Sequence, residues 1–267
     1  MELQKWQALG NHFLVCERSS LPWPLTPERV RLLCNPALGL GADGVLELEL
    51  GDAPDVAVTV HNADGSIAEV SGNGTRIAVA YAAESLGRRT LSVHAATDGS
   101  ASIDGGGWIS VTLGRAALAG RQEDRSTADP GVDYRFVSTG NPHCVIAVDE
   151  PDRFPLASEG PRLEHHPRFP ERANVEAFAV IDRHRVRMRV WERGVGETQA
   201  CGSGACAVAV AAIVDGRCES PVEVEMPGGV VEVAVSDELE ITLTGEAERV
   251  FVAALDPAFV ARLEGAP

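Results

Sequence analysis

The chain matches itself when slid by 130 residues. Gly10-Asn11 falls on Gly140-Asn141, Val15 on Val145 and Val45 on Val175, with no gap. Val56, Val58 and Val60 fall on Val186, Met188 and Val190. Gly72 and Gly74 fall on Gly202 and Gly204, and Ser71 falls on Cys201. Apolar runs follow both glycine pairs, through Ile77 to Ala83 in one copy and Ala207 to Ile213 in the other. One offset shared by separated blocks is hard to reach by chance, and its period is far longer than a solenoid's. The repeat therefore predicts two homologous lobes, each burying a helix that starts at a Gly-x-Gly turn.

The rest of the pattern places strands around those helices. Residues 45–50, 56–61, 186–191 and 230–235 read as strands, with the period-two alternation of a half-buried strand clearest at 45–50 and 56–61. Thr26-Pro27 opens a helix, with a cap followed by proline at the first helical position. Gly39-Leu-Gly-Ala-Asp-Gly44 matches the dinucleotide fingerprint by letter, but it is followed by a strand where that motif needs a helix. It reads as a turn. Residues 114–133 read as the crossover between lobes, and 250–254 as a strand returning to the first sheet. The expected fold is α+β: two pseudo-symmetric lobes, each a largely antiparallel sheet wrapped around a central helix. The expected boundaries are 1–115 plus 249–267 for the N-terminal lobe and 116–248 for the C-terminal lobe.

Composition removes several classes. The net charge of −16 argues against a nucleic-acid or anionic-membrane partner. No apolar run is long enough to span a bilayer and no signal-peptide pattern opens the chain, so a cytoplasmic setting is expected. Six cysteines are present without a Cys-x-x-Cys pair, so reduced thiols are expected and a metal site is not. A single lysine, Lys5, lies outside any cofactor-like motif, which disfavours a Schiff-base cofactor.

Cys201 stands at the start of the second central helix, where unpaired N–H groups and the helix dipole favour a thiolate and an anionic ligand. Two such helix starts facing each other across a cleft would hold a carboxylate. A proton carrier from each lobe would then flank the bound carbon, an arrangement suited to stereoinversion. Cys201 fits one position; the repeat puts Ser71 at the other.

With these segments in view, the chain resembles the diaminopimelate epimerase family. The resemblance rests on Leu9-Gly-Asn-His-Phe13, Gly39–Gly44, Asn62-Ala-Asp-Gly-Ser66, Ser71-Gly-Asn-Gly-Thr-Arg76, Gly140-Asn-Pro-His143, Asn174-Val175, Glu192–Thr198 and Ala200-Cys-Gly-Ser-Gly-Ala205. It implies a cofactor-independent isomerase of lysine and peptidoglycan-precursor synthesis that converts LL-2,6-diaminopimelate to the meso form, acting as a homodimer. It implies Cys201 and Ser71 as the catalytic pair, and Asn11, Asn62, Gly72, Asn73, Asn141, Asn174, Glu192, Arg193, Gly202 and Ser203 as substrate-binding positions. His143 and Glu192 are implied to tune the acid–base pair. The sequence departs from the family at Ser71, where a cysteine is expected and where activity should fall; Pro36-Ala37 and His12 also depart. The alternatives are a related racemase or dehydratase with one catalytic thiol, or a binding protein without turnover.

Overall fold

The computed structural model describes residues 1–69, 71–95, 98–119 and 131–266. They fall into two units, Met1–Val111 with Glu246–Pro267, and Thr112–Gly245. The first unit runs β1 (Glu2–Ala8), β2 (Asn11–Glu17), α1 (Pro27–Cys34), β3 (Gly44–Leu50), β4 (Val56–Asn62), α2 (Gly72–Leu86), β5 (Thr90–His94), β6 (Asp98–Ile103) and β7 (Ile109–Arg115), the last crossing the unit boundary. The second runs β8 (Ala117–Ala119), β9 (Arg135–Ser138), β10 (Pro142–Ala147), α3 (Leu156–Glu164), β11 (Asn174–Asp182), β12 (Arg185–Glu192), β13 (Gly196–Thr198), α4 (Gly202–Val214), β14 (Val222–Met226), β15 (Gly229–Val235) and β16 (Glu240–Gly245). The chain then returns to the first unit with β17 (Glu248–Ala254) and α5 (Pro257–Glu264).

The repeat is carried strand for strand. In the first unit the pairing order is β17-β1-β2-β3-β4-β5-β6-β7. In the second it is β8-β9-β10-β11-β12-β14-β15-β16, with β13 also on β12. Most joints are antiparallel, as expected. The parallel ones recur at matching places: β2–β3 with β10–β11, and β4–β5 with β12–β14. Parallel neighbours need a crossover, and here each crossover contains a helix. α1 and α3 serve the first joint of each unit; α2 and α4 serve the second. Even the registers repeat, with Leu14 beside Val45 and Cys144 beside Val175.

Strand alternation then divides each sheet into two faces. Val45 and Cys16 pack with Val30, Leu33 and Cys34 of α1. In the second unit Val175, Cys144 and Ile146 pack with Leu156 and Leu163 of α3. The opposite faces meet the central helices. α4 is buried from Gly202 through Ala212, and α2 is buried over most of Gly72 to Ala82. Small residues dominate both, so the sheet closes tightly, and each fully buried valine such as Val208 or Val210 contributes about 1.5–3 kcal/mol. α1 begins as expected, with Thr26 Oγ1 accepting the Arg29 N–H at 3.3 Å and Pro27 next to it.

α5 was not expected. Asp256 caps it by accepting the Ala258 N–H at 2.8 Å, and Leu263 is buried in the same cluster as Leu3 and Val30. The Asp256-Pro257 pair was its readable start signal. The expected crossover at 114–133 lies largely outside the described residues. Among the described residues no helix is long and apolar enough to cross a membrane.

Burial also sets a pH limit on stability. Desolvation, then the nearby Glu47 carboxylate, push the Cys16 thiol up to about 12 from an ordinary 9.0. Its proton is therefore held more tightly in the folded chain than in the unfolded one. The stability this brings is complete below pH 9.0 and is lost as pH rises through 12. Denaturant unfolding at pH 9 to 11 should show stability falling with pH. The slope in Cys16→Ala should be shallower by about 1.4 kcal/mol per pH unit; an unchanged slope would contradict the assignment.

Candidate functional site

Each unit builds a half-site at the first turn of its central helix. Ser71 and Cys201 both precede the helix in extended backbone, with φ/ψ of −145°/103° and −133°/113°. The Thr75 and Ala205 N–H groups donate to the Ser71 and Cys201 carbonyls, each at 2.9 Å. The next N–H groups, on Gly72-Asn73 and Gly202-Ser203, have no partner inside the helix by its geometry, and these residues are buried. Such a turn is a ready anion cradle.

The two side chains at these helix starts behave differently. Ser71 Oγ accepts the Gly74 N–H at 3.0 Å, an N-cap bond. Cys201 Sγ lies 3.5 Å from Ser203 Oγ. Its thiol is raised well above the ordinary value, first by burial and then by the Glu192 carboxylate, with Glu176 adding to the rise. Contacts with Ser203 and the Gly204 N–H act in the other direction and are outweighed. The helix dipole is present, but desolvation and two carboxylates favour the proton.

In the first unit, Asn73 Nδ2 donates to Asn11 Oδ1 at 3.4 Å. Asn11 Nδ2 in turn donates to Asp43 Oδ2 at 2.8 Å, and Asp43 Oδ2 also accepts the His12 N–H. Gly44, next to Asp43, pairs with Asn62 at the end of β4. The Asn62 amide donates to Ser66 Oγ at 2.9 Å within its own turn. Asn11, Asn62 and Asn73 therefore lie at one end of the sheet. Arg76 is fully buried beneath them and donates to Asn73 Oδ1 at 2.8 Å. Lys5, the single lysine, donates to the Gly41 carbonyl.

In the second unit the matching bond runs from Asn141 Nδ2 to Ser203 Oγ, also at 3.4 Å. His143 is fully buried, its Nε2 lying 2.9 Å from Asn141 Oδ1 and its Nδ1 2.6 Å from Glu176 Oε1. Glu192 accepts the Thr198 hydroxyl, and its carboxyl is raised, chiefly by burial. Asn174 braces the turn: it donates to the Pro142 carbonyl and accepts the Arg193 N–H. The Arg193 guanidinium reaches the Glu171 carbonyl. Glu164 of α3 holds the same turn by accepting from Trp191 Nε1 and the Gly194 N–H. Among the described residues no group of His, Cys, Asp and Glu is placed to hold a metal ion.

Asp43, Glu164, Glu176 and Thr139 were not singled out from sequence. For Glu176 a signal existed: the repeat aligns it with Leu46, so a carboxylate replaces an aliphatic side chain on a buried strand. Both side chains lie against the glycine of the helix start. A Cβ at Gly74 would meet Leu46 Cδ2 at 3.1 Å, and one at Gly204 would meet Glu176 Oε1 at 2.9 Å. Gly204→Ala should therefore cost about 1–3 kcal/mol of stability in denaturant unfolding, despite the better helix propensity of alanine. A neutral or stabilising result would mean that the Glu176 side chain yields freely.

Comparison with known proteins agrees with this architecture. The family profile described as "Diaminopimelate epimerase" matches residues 4–117 and 135–250. Diaminopimelate epimerase 1 of Nostoc sp. is 37% identical over 277 residues, covering 96% of this chain and 99% of the relative. Diaminopimelate epimerase of Pseudomonas aeruginosa is 37% identical over 268 residues, covering 94% and 97%. Among solved structures, a hydroxyproline epimerase from Agrobacterium vitis superposes with a TM-score of 0.71 at 16% identity, covering 97% and 94%. A phenazine biosynthesis protein of Bacillus anthracis does so with 0.71 at 14%, covering 96% and 99%. These last two share the fold. The profile match and the sequence identity over nearly the whole length place this chain in the diaminopimelate epimerase family.

Proposed function

We propose that the chain is an amino-acid epimerase that inverts the α-carbon of LL-2,6-diaminopimelate to give the meso form, with Cys201 as a proton carrier. The observation that carries the reading is the environment of Cys201: a buried thiol at the start of α4, beside Glu192 and the cradle of Gly202 and Ser203. The alternatives of a different racemase, a dehydratase or an inactive binder are not favoured, because the relatives that match over the full length are named as diaminopimelate epimerases.

The chemistry follows from the charges. Removing the α-proton leaves electron density that spreads into the α-carboxylate. The N–H groups of Gly72, Asn73, Gly202 and Ser203 stabilise that charge as it grows. Asn11, Asn62, Asn141, Asn174 and Arg193 hold the polar groups of the substrate, and Glu192 and His143 tune the acid–base pair. Cys201 rests as a thiol, so it is poised to give a proton. To take one it must first lose its own, and Glu192, whose carboxyl is raised, is the partner for that transfer. Inversion needs removal and return on opposite faces of the carbon, so a second carrier is required. Position 71 supplies it, but a serine hydroxyl seldom ionises near neutral pH, and this one already caps α2. Turnover is therefore slower than with a thiol at that place.

The reading carries with it a cofactor-free reaction, a cytoplasmic setting and a homodimer, the last supported by Val250, Phe251 and Val252 exposed on β17. The test is to measure kcat for LL-diaminopimelate in Ser71→Cys and Cys201→Ala variants. Ser71→Cys should raise kcat by about a hundredfold or more, and Cys201→Ala should abolish turnover. A Ser71→Cys rate equal to the original would remove position 71 from the proton path.

A further inference from the structure

We propose that Glu176 is a positioning residue of the second half-site: through His143 and Asn141 it sets the Ser203 hydroxyl against Cys201, and it brings to this half-site a carboxylate that the other lacks. The inference rests on Cys201 being a proton carrier, and its test is chosen to stand apart from that reading.

Glu176 projects from β11 toward the first turn of α4 and is fully buried. A methyl group at Gly204 would lie 2.9 Å from Glu176 Oε1 and 3.4 Å from Cys201 Sγ, so carboxylate and thiol flank one small gap. From Oε1 a continuous path leads back to the thiol. It passes to His143 Nδ1 at 2.6 Å, then from Nε2 to Asn141 Oδ1 at 2.9 Å. It continues from Asn141 Nδ2 to Ser203 Oγ at 3.4 Å and from there to Cys201 Sγ at 3.5 Å.

The hydrogen-bond inventory fixes the polarity of this path. The Thr139 hydroxyl donates to Asn141 Oδ1 at 3.1 Å and its oxygen also lies 3.1 Å from His143 Nε2, so both atoms face His143 as acceptors. The Nε2 atom must then carry hydrogen. A neutral imidazole would present a lone pair at Nδ1, directly toward a carboxylate lone pair. A proton must therefore lie between Nδ1 and Oε1. With that proton in place His143 donates to Asn141, and the Asn141 amide turns its NH₂ group to Ser203. With no donor or shared proton at Nδ1, a neutral imidazole can place its single hydrogen there and stop donating to Asn141.

The first half-site has no counterpart. At the repeat-related positions Leu46 replaces Glu176, Phe13 replaces His143 and Asn62 replaces Glu192. There the equivalent bond, between Asn73 and Asn11, leads to buried Arg76 instead. One half-site thus sits over a guanidinium and the other over a carboxylate. The ionisable groups bearing on Glu176 are His143 and Cys144 from β10, Glu192 from β12 and Cys201 from α4. Of the two carboxylates acting on Cys201, Glu192 is the larger influence and Glu176 the smaller, and both favour its proton.

The test follows Cys201 by the ¹³C shift of its β-carbon in cysteine-labelled protein, assigned by its loss in Cys201→Ser. No substrate is needed, so the result is independent of which reaction the enzyme catalyses. In Glu176→Gln, whose amide can still donate to His143 Nδ1, only the charge is removed and the midpoint of the Cys201 titration should move down; in Glu176→Leu, which copies Leu46 and also loosens the Ser203 contact that lowers the thiol, it should lie above the Glu176→Gln value. Glu47→Gln, which removes a buried carboxylate in the other unit, should leave it in place. The pH dependence of kcat should show the corresponding limb in the same order in the two Glu176 variants. Their kcat should fall about tenfold or more while KM changes less. Equal midpoints in the two Glu176 variants, an unmoved midpoint in Glu176→Gln, or one that moves equally in Glu47→Gln, would overturn the proposal. If Glu176→Leu fails to fold, Glu176→Ala, which also leaves Nδ1 without that partner, takes its place.

Discussion

A side chain from the neighbouring strand lies so close to the first turn of each central helix that a Cβ there would press against it. That approach, at Gly74 and again at Gly204, governs the arrangement of both half-sites. It brings the residue at the middle of β3 or β11 to within contact of the helix start. The first N–H groups of the buried helix, without helical partners by geometry, lie in the same turn and are ready for an anion. The approach also decides what lies beneath the cap residue. In one unit that is Leu46, in the other Glu176. The same backbone thus offers two different electrostatic settings.

The difference matters because a proton transfer in both directions across one carbon needs partners that are not interchangeable at rest. Cys201 is surrounded by low dielectric and by carboxylates from two strands, so it holds its proton. Ser71 has a hydroxyl engaged in capping and a buried arginine five residues on. The pseudo-symmetry of the backbone is close, down to matching 3.4 Å bonds between Asn73 and Asn11 and between Asn141 and Ser203. The chemistry laid over it is asymmetric.

Much of the fold was legible because the repeat is a local pattern copied at one offset. The two central helices, the alternation of β3, β4 and β12, the proline start of α1 and the return of β17 could all be read from neighbouring residues. α5 was overlooked although Asp256-Pro257 marks its start, and short β13 carries too few residues for a periodic signal. The candidate site was named from sequence as a set of residues; the surroundings that favour the Cys201 proton were not part of that reading. A helix dipole can be inferred from Cys201 and the glycines after it. The opposing carboxylates come from Glu192 and Glu176, on strands that only the folded sheet sets beside the thiol. Desolvation likewise belongs to packing, and no window around Cys201 reports it.

The central claim is that Cα inversion proceeds through two distinct proton carriers, one of them Cys201. It is tested most directly by incubating LL- and meso-diaminopimelate separately in D₂O and following deuterium incorporation and configuration at Cα together. The account predicts that each isomer yields the other, with deuterium at the inverted centre of the product. Deuterium entering the α-carbon of recovered starting material, with configuration retained and no inversion of either isomer, would contradict it.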